Sequence, residues 1–142
     1  MKLRHLILAF IAVIVPPGFG WQAEELERLV HAIGTVESNH DDEAIGDNGA
    51  SRGRFQIQWA CWKDATDFDK TIGGKYEDVH DPIYAEKVMR AYWRRYEPEA
   101  YKNADFESLA RLWNSGPRWA KKKHKTDAYW AKVKAVLDTL SQ

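Results

Sequence analysis

Apolar positions recur at helical intervals through four stretches of this chain. From Ala23 to Ser38, Leu26, Leu29, Val30, Ile33 and Val36 fall on one helical face. Glu24, Glu25 and Glu27 gather at the N-terminal end of that stretch, where acidic side chains suit the helix dipole. Glu37 therefore sits near the C-terminal end, beside the inward face. Asp81-Pro82 reads as an N-cap followed by a proline in the first turn. It opens a helix carrying Ile83, Val88, Tyr92 and Trp93 as far as Tyr96, before Pro98 interrupts it. Asp105 caps a third helix with Phe106, Leu109 and Leu112, stopped by Gly116-Pro117. The fourth opens near Thr126 and buries Val133, Val136, Leu137 and Leu140.

Between the first two helices the pattern changes. Residues 39–52 are polar and glycine-rich, and Asn48-Gly49 is a strong turn signal. Arg54 to Trp59 alternates in character, so a small hairpin is predicted over Ile45 to Gln58. A second loop, containing Gly73-Gly74, leads to Asp81. No internal repeat is visible, and 142 residues leave room for one domain. The expected class is α+β: mostly helical, with one small β element.

The N-terminus changes this picture. Lys2, Arg4 and His5 form a basic start, Leu6 to Val15 an apolar run, and Pro16, Pro17 and Gly18 a break. The run is shorter than the ~20 residues of a membrane-spanning helix, so residues 1–20 read as a secretory signal peptide, cleaved there or as late as position 23. An uncleaved anchor or a buried N-terminal helix is the alternative. Residues 21–142 would then form an exported domain, periplasmic or extracellular, with no stable membrane span. Of the 21 basic residues two, Lys2 and Arg4, lie in that segment, leaving 19 against 21 acidic ones. Such a balance carries no global basic field for nucleic acid. The one cysteine, Cys61, cannot make an internal disulfide and reads as a small buried apolar residue. No metal-ligand spacing or phosphate-cradling loop occurs, so no metal or other cofactor is expected, and a monomer is the default. Seven Trp, six Tyr and five Phe suit either a compact aromatic core or platforms for sugar rings.

Candidate chemistry lies in three short stretches. Exposed glutamates are ordinary, but Glu37 follows Val36 and precedes a glycine-rich turn, which places it beside the core. A desolvated carboxyl keeps its proton more readily, as required of an acid that protonates a glycosidic oxygen near neutral pH. Gly53-Arg54-Phe55-Gln56-Ile57 alone is a weak pattern. Leu109 to Pro117 alone is a helix with a Gly-Pro stop and a buried Trp. In order and spacing, however, Glu37-Ser38, Gly53-x-x-Gln56-Ile57 and Trp113-Asn114-Ser115-Gly116-Pro117 resemble the lysozyme-like superfamily, over roughly residues 26–119.

In the soluble lytic transglycosylase branch of that superfamily a Glu-Ser pair closes a helix. A Gly-x-x-Gln stretch follows on the cleft wall, and an aromatic-Asn-small-Gly block comes later. The resemblance implies a lysozyme-like fold with the hairpin beside the active-site cleft. It makes Glu37 the acid/base, with Ser38, Gln56, Phe55, Trp113 and Asn114 on the sugar groove and a peptidoglycan strand as partner. The chain also resembles invertebrate-type lysozymes, which share Phe55-Gln56-Ile57, Trp62 and the closing Pro117. That resemblance puts Asp47 near the place of a second carboxylate. Two departures stand out: those lysozymes are rich in disulfides, and the transglycosylase branch usually has Tyr where Trp113 stands, a hydroxyl that could bond substrate or acid.

With two carboxylates, Asp47 attacks or stabilises the anomeric carbon and water completes hydrolysis. With one, Glu37 acts as acid and then base, and the substrate's own hydroxyl closes an anhydro ring. Asp47 in Gly46-Asp47-Asn48-Gly49 is equally a favoured turn former, and the transglycosylase label fits slightly better than a strict hydrolase. Trp113, then Trp59, Trp62 and Phe55, are the candidate sugar platforms, although an aromatic at such a position is more often core than platform. Lys121-Lys122-Lys123-His124-Lys125 is a solvated helix approach or an attractor of anionic wall polymers. The rival from another class is a noncatalytic wall-binding module.

Overall fold

The computed structural model describes residues 19–142, with side chains from Gln22 onward, so most of the expected signal segment lies outside the described residues. Helix α1 spans Phe19–Ser38. Three two-residue strands follow: β1 (Ile45–Gly46), β2 (Ser51–Arg52) and β3 (Ile57–Gln58). Then come α2 (Trp59–Phe68), a 3-10 turn at Tyr76–His80, α3 (Pro82–Tyr96), the short α4 (Pro98–Lys102) and α5 (Phe106–Ser115). A 3-10 segment, Trp119–Thr126, leads into α6 (Asp127–Thr139).

Helices α3 and α5 begin at the caps their sequences carry, whereas Leu140, expected in the interior of the last helix, lies beyond α6 and is exposed. Asp81 accepts a hydrogen bond from the Tyr84 amide at the head of α3, and Asp105 does the same for Ser108 at the head of α5, each satisfying one of the free N–H groups of a first turn. Leu26, Leu29, Val30 and Ile33 of α1 are buried, as are Val88, Met89, Tyr92 and Trp93 of α3, Leu109 and Leu112 of α5, and Val133 and Leu137 of α6. Helix α1 lies along α6 and α2 along α3, while α5 touches α1, α3 and α6. Fully buried Trp93 holds the middle: its ring meets Trp113 at 6.4 Å and 75° and Tyr101 at 6.5 Å.

Arg111 is the exception in this interior, only 4 % exposed. Its guanidinium donates to Glu107 Oε1 (2.9 Å), the Lys123 carbonyl (3.0 Å), Thr126 Oγ1 (2.7 Å) and Asp127 Oδ1 (2.7 Å). A buried cation holds its place only with such partners, and these fasten the 3-10 segment to α5.

The expected hairpin is a three-stranded antiparallel sheet in the order β1-β2-β3, pairing Ile45 with Arg52 and Arg52 with Ile57. The strand expected over Arg54 to Trp59 shrinks to Ile57–Gln58, because residues 53–56 make a turn and Trp59 already begins α2. Helices α2 and α4 have no counterpart among the elements expected from the apolar pattern. The Gly53 amide donates to the Ala44 carbonyl and its φ is +72°. A Cβ at Gly53 would lie 2.5 Å from the Val79 carbonyl oxygen.

Gly53→Ala therefore meets both an unfavourable backbone region and a backbone clash. We expect it to lower the unfolding free energy by about 2 kcal/mol or more, read as a lower urea midpoint. An unchanged midpoint would mean that the turn relaxes freely and does not brace the sheet.

Candidate active site

A cleft of about 460 Å³ runs between the sheet and the end of α5. Asp47, Ser51, Gln56 and Gln58 line it from the sheet side, and Trp113 to Pro117 from the other. Glu37 also lines it, carried on the last turn of α1.

Glu37 reaches this position because the chain turns sharply after α1. The Asn39 and His40 amides donate back to the Thr35 and Gly34 carbonyls, with φ of 55° and 63°. Burial pushes the Glu37 carboxyl up from the usual 4.5 to about 6. A hydrogen bond from the Tyr129 hydroxyl to Oε1, 2.7 Å long, works against that rise, and the nearby charge of Asp47 adds to it. Burial and the same carboxylate hold the Tyr129 phenol well above its usual range, so it remains a donor.

Asp47 is exposed, with φ of 50°, at the start of a short 3-10 turn. Its Oδ2 accepts from the hydroxyl of buried Ser51 (2.5 Å) and, more distantly, from Gln58 Nε2 (3.5 Å). Asp47 thus lines the same cleft as Glu37, as does Asp64.

The other residues singled out in the sequence divide. Gln56 lines the cleft, but its amide is committed to the wall: Nε2 donates to the Gly53 carbonyl at 3.0 Å and the Ala44 carbonyl at 3.4 Å. A Cβ on Gly46 would fall 2.1 Å from Gln56 Oε1, so that clasp requires glycine in β1. Asn114 is exposed on the cleft. Trp113 is half-buried, edge-on to Tyr92 and Trp93, and donates from Nε1 to the Phe55 carbonyl at 3.2 Å. Ser38 is a strut, donating to the Arg54 carbonyl at 2.8 Å. Phe55 is not on the groove wall. The turn at 53–56 points it into the core, where it is 2 % exposed, so its expected place against sugar does not stand. Cys61 is half-buried at the cleft, and burial pushes its thiol strongly upward, leaving it protonated.

Tyr129 carries no signal in the sequence. It lies 92 residues from Glu37 on a helix with no motif of its own, and only the packing of α6 along α1 brings them together. It supplies a hydroxyl to Glu37 from α6. Among the described residues no group of three or more His, Cys, Asp or Glu is arranged to hold a metal ion.

The Destabilase family profile matches residues 27–136, which spans both carboxylates, the sheet and most of α6. The chain belongs to the Destabilase family. It is also 32% identical over 89 residues to Lysozyme 1 of Crassostrea virginica, an alignment covering 62% of this chain and 46% of that protein. The match thus spans about half the length of that relative. No solved structure is significantly similar to the chain. Within this Destabilase-family chain the resemblance to invertebrate-type lysozymes holds, and so does the mostly helical α+β fold.

The raised carboxyl carries a stability consequence. Between 4.5 and about 6 the folded state binds more protons at Glu37 than the unfolded chain, so stability falls as pH rises through that window. Glu37→Gln should therefore stabilise the fold at pH 7 by about 1–2 kcal/mol, with the gain vanishing near pH 4. Urea unfolding of both proteins at the two pH values checks this. An equal difference at both would mean that the carboxyl does not titrate abnormally.

Proposed function

We propose that this protein is a lysozyme-type glycosidase that cleaves the β-1,4 bond between MurNAc and GlcNAc in peptidoglycan. The observation that carries the reading is a Glu37 carboxyl held near 6 by burial, opposite a second carboxylate in one cleft. Glu37 transfers its proton to the glycosidic oxygen as the bond to the anomeric carbon breaks. Asp47, oriented by Ser51 and Gln58, attacks or electrostatically supports that carbon as positive charge develops. Glu37, now a carboxylate, takes a proton from the incoming water. Tyr129 holds Oε1 throughout, directing the other oxygen to the substrate.

The side-chain clasp on Asp47 and the invertebrate-type kinship favour hydrolysis over the anhydro-forming route. Asn114 and the exposed edge of Trp113 bind sugar along the facing wall. The substrate lies outside the cell membrane, in keeping with residues 1–20 as an export signal, and no helix of the described residues is long and apolar enough to cross a membrane.

Mass spectrometry of purified peptidoglycan after incubation tests the reading. Reducing muropeptides are expected from the native chain. Glu37→Gln should lose activity by about 10²–10⁴-fold, and Asp47→Asn should also fall sharply. Anhydro-muramic ends with an active Asp47→Asn would instead establish the one-carboxylate route. Absence of products from folded native protein would defeat the assignment.

The rate should decline as pH rises above about 6, as Glu37 loses its proton. Because the Tyr129 hydrogen bond stabilises the carboxylate, Tyr129→Phe should move this alkaline limb upward while lowering kcat by roughly tenfold. A Tyr129→Phe profile superimposable on the parent's would remove Tyr129 from the mechanism.

A further inference from the structure

The chain is neutral overall, and many of its cations are paired. Arg28, Arg54, Lys63, Arg90, Arg94 and Lys134 each lie against a carboxylate. Residues 118–125 break that rule, with Arg118, Lys121, Lys122, Lys123 and Lys125 and no acidic residue. Lys123 meets Glu107 at 3.2 Å. Arg118, Lys121, Lys122 and Lys125 are exposed, and among the described residues none has a carboxylate partner.

Such a segment repels itself and would not keep a 3-10 conformation unaided. It is fastened at both ends. Trp119 donates from its amide to the Gly116 carbonyl (3.0 Å) and from Nε1 to Glu97 Oε1 (2.9 Å). At the other end, buried Arg111 grips the Lys123 carbonyl and Thr126, while Thr126 Oγ1 donates to the Lys123 carbonyl. The acids there, Glu107 and Asp127, are both bonded by Arg111, and Glu107 also takes Lys123, so neither pairs with Lys121, Lys122 or Lys125. The chain arrives at this segment directly from Ser115, Gly116 and Pro117, which line the cleft. A fixed cluster of point charges of one sign, next to a groove, suits the regularly spaced phosphates of a polymer.

We propose that residues 118–125 form a second binding surface, for a phosphodiester-linked anionic polymer attached to the wall whose glycan occupies the cleft. The proposal rests on peptidoglycan being the substrate of that cleft. Lysine ammonium groups engage successive phosphates and displace their counterions, so the surface holds the enzyme on the wall between cleavages. Its reach is about a Debye length, ~8 Å at physiological salt, so it acts on polymer chains close to the bound strand.

Co-sedimentation with insoluble walls tests this, using Glu37→Gln so that the wall is not consumed. The protein should bind walls bearing their phosphodiester polymer about tenfold more tightly than walls stripped of it, and raising sodium chloride from roughly 50 to 200 mM should abolish most of that difference. In the same background, K121Q/K122Q/K125Q should erase the difference. A charge-matched control, K75Q/K87Q/K102Q, should preserve it. Equal binding to both kinds of wall, or loss of the difference in both triple variants, would overturn the proposal. So would tighter binding to anionic phospholipid vesicles than to polymer-bearing walls, which would make the surface a lipid site. With Glu37 restored, stripped peptidoglycan should be cleaved equally by the parent and K121Q/K122Q/K125Q. No cleavage by either would fail the glycosidase reading while leaving the sedimentation result to stand on its own.

Discussion

Keeping one carboxyl partly out of water at the end of α1 constrains much of this molecule. Glu37 ends a helix whose buried face belongs to the core, so its side chain leaves that core at the cleft with little solvent around it. A carboxyl so placed either stays protonated or must be offered a donor. The protein does both: burial raises the group toward 6, and Tyr129 donates to one oxygen. The packing of α6 along α1 is therefore as much a part of the site as the sheet is.

The opposite wall depends on backbone held in uncommon conformations. Of the six non-glycine residues with positive φ among those described, Asn39, His40, Asp47, Asn48 and Gln56 lie between the end of α1 and β3. Each such residue costs of order 1 kcal/mol, and together they form the segment that folds over the cleft. What offsets them is local and specific: Ser38 on the Arg54 carbonyl, Gln56 on the Gly53 and Ala44 carbonyls, and Ser51 on Asp47. Strands of two residues would not persist without these clasps. A sheet this small serves to hold one carboxylate and one wall.

The aromatic core explains how a small domain with a single cysteine can hold that strain. Trp93, Trp113, Tyr92 and Tyr101 meet edge-on or tilted, and such pairs stabilise beyond the area they bury. Trp113 belongs to this cluster as well as to the cleft, and its Nε1 bond to the Phe55 carbonyl ties the cluster to the turn before β3.

Local rules make most of the helices legible in the amino-acid sequence itself. The N-caps Asp81 and Asp105 and the Gly116-Pro117 stop act within a few residues, and apolar periodicity marks the faces that turn inward. Glu37, Asp47, Gln56, Trp113 and Asn114 are legible too, because their motifs are contiguous, and they share one cleft. Phe55 is the reverse case: alternation puts it on the apolar face with Ile57, where both are buried, and only the resemblance sets it against the sugar. The chain alone does not show α2, whose short amphipathic pattern looks like loop. Tyr129 is hidden for a plainer reason. A hydrogen bond across 92 residues has no local signature, and it exists only because α1 and α6 pack side by side.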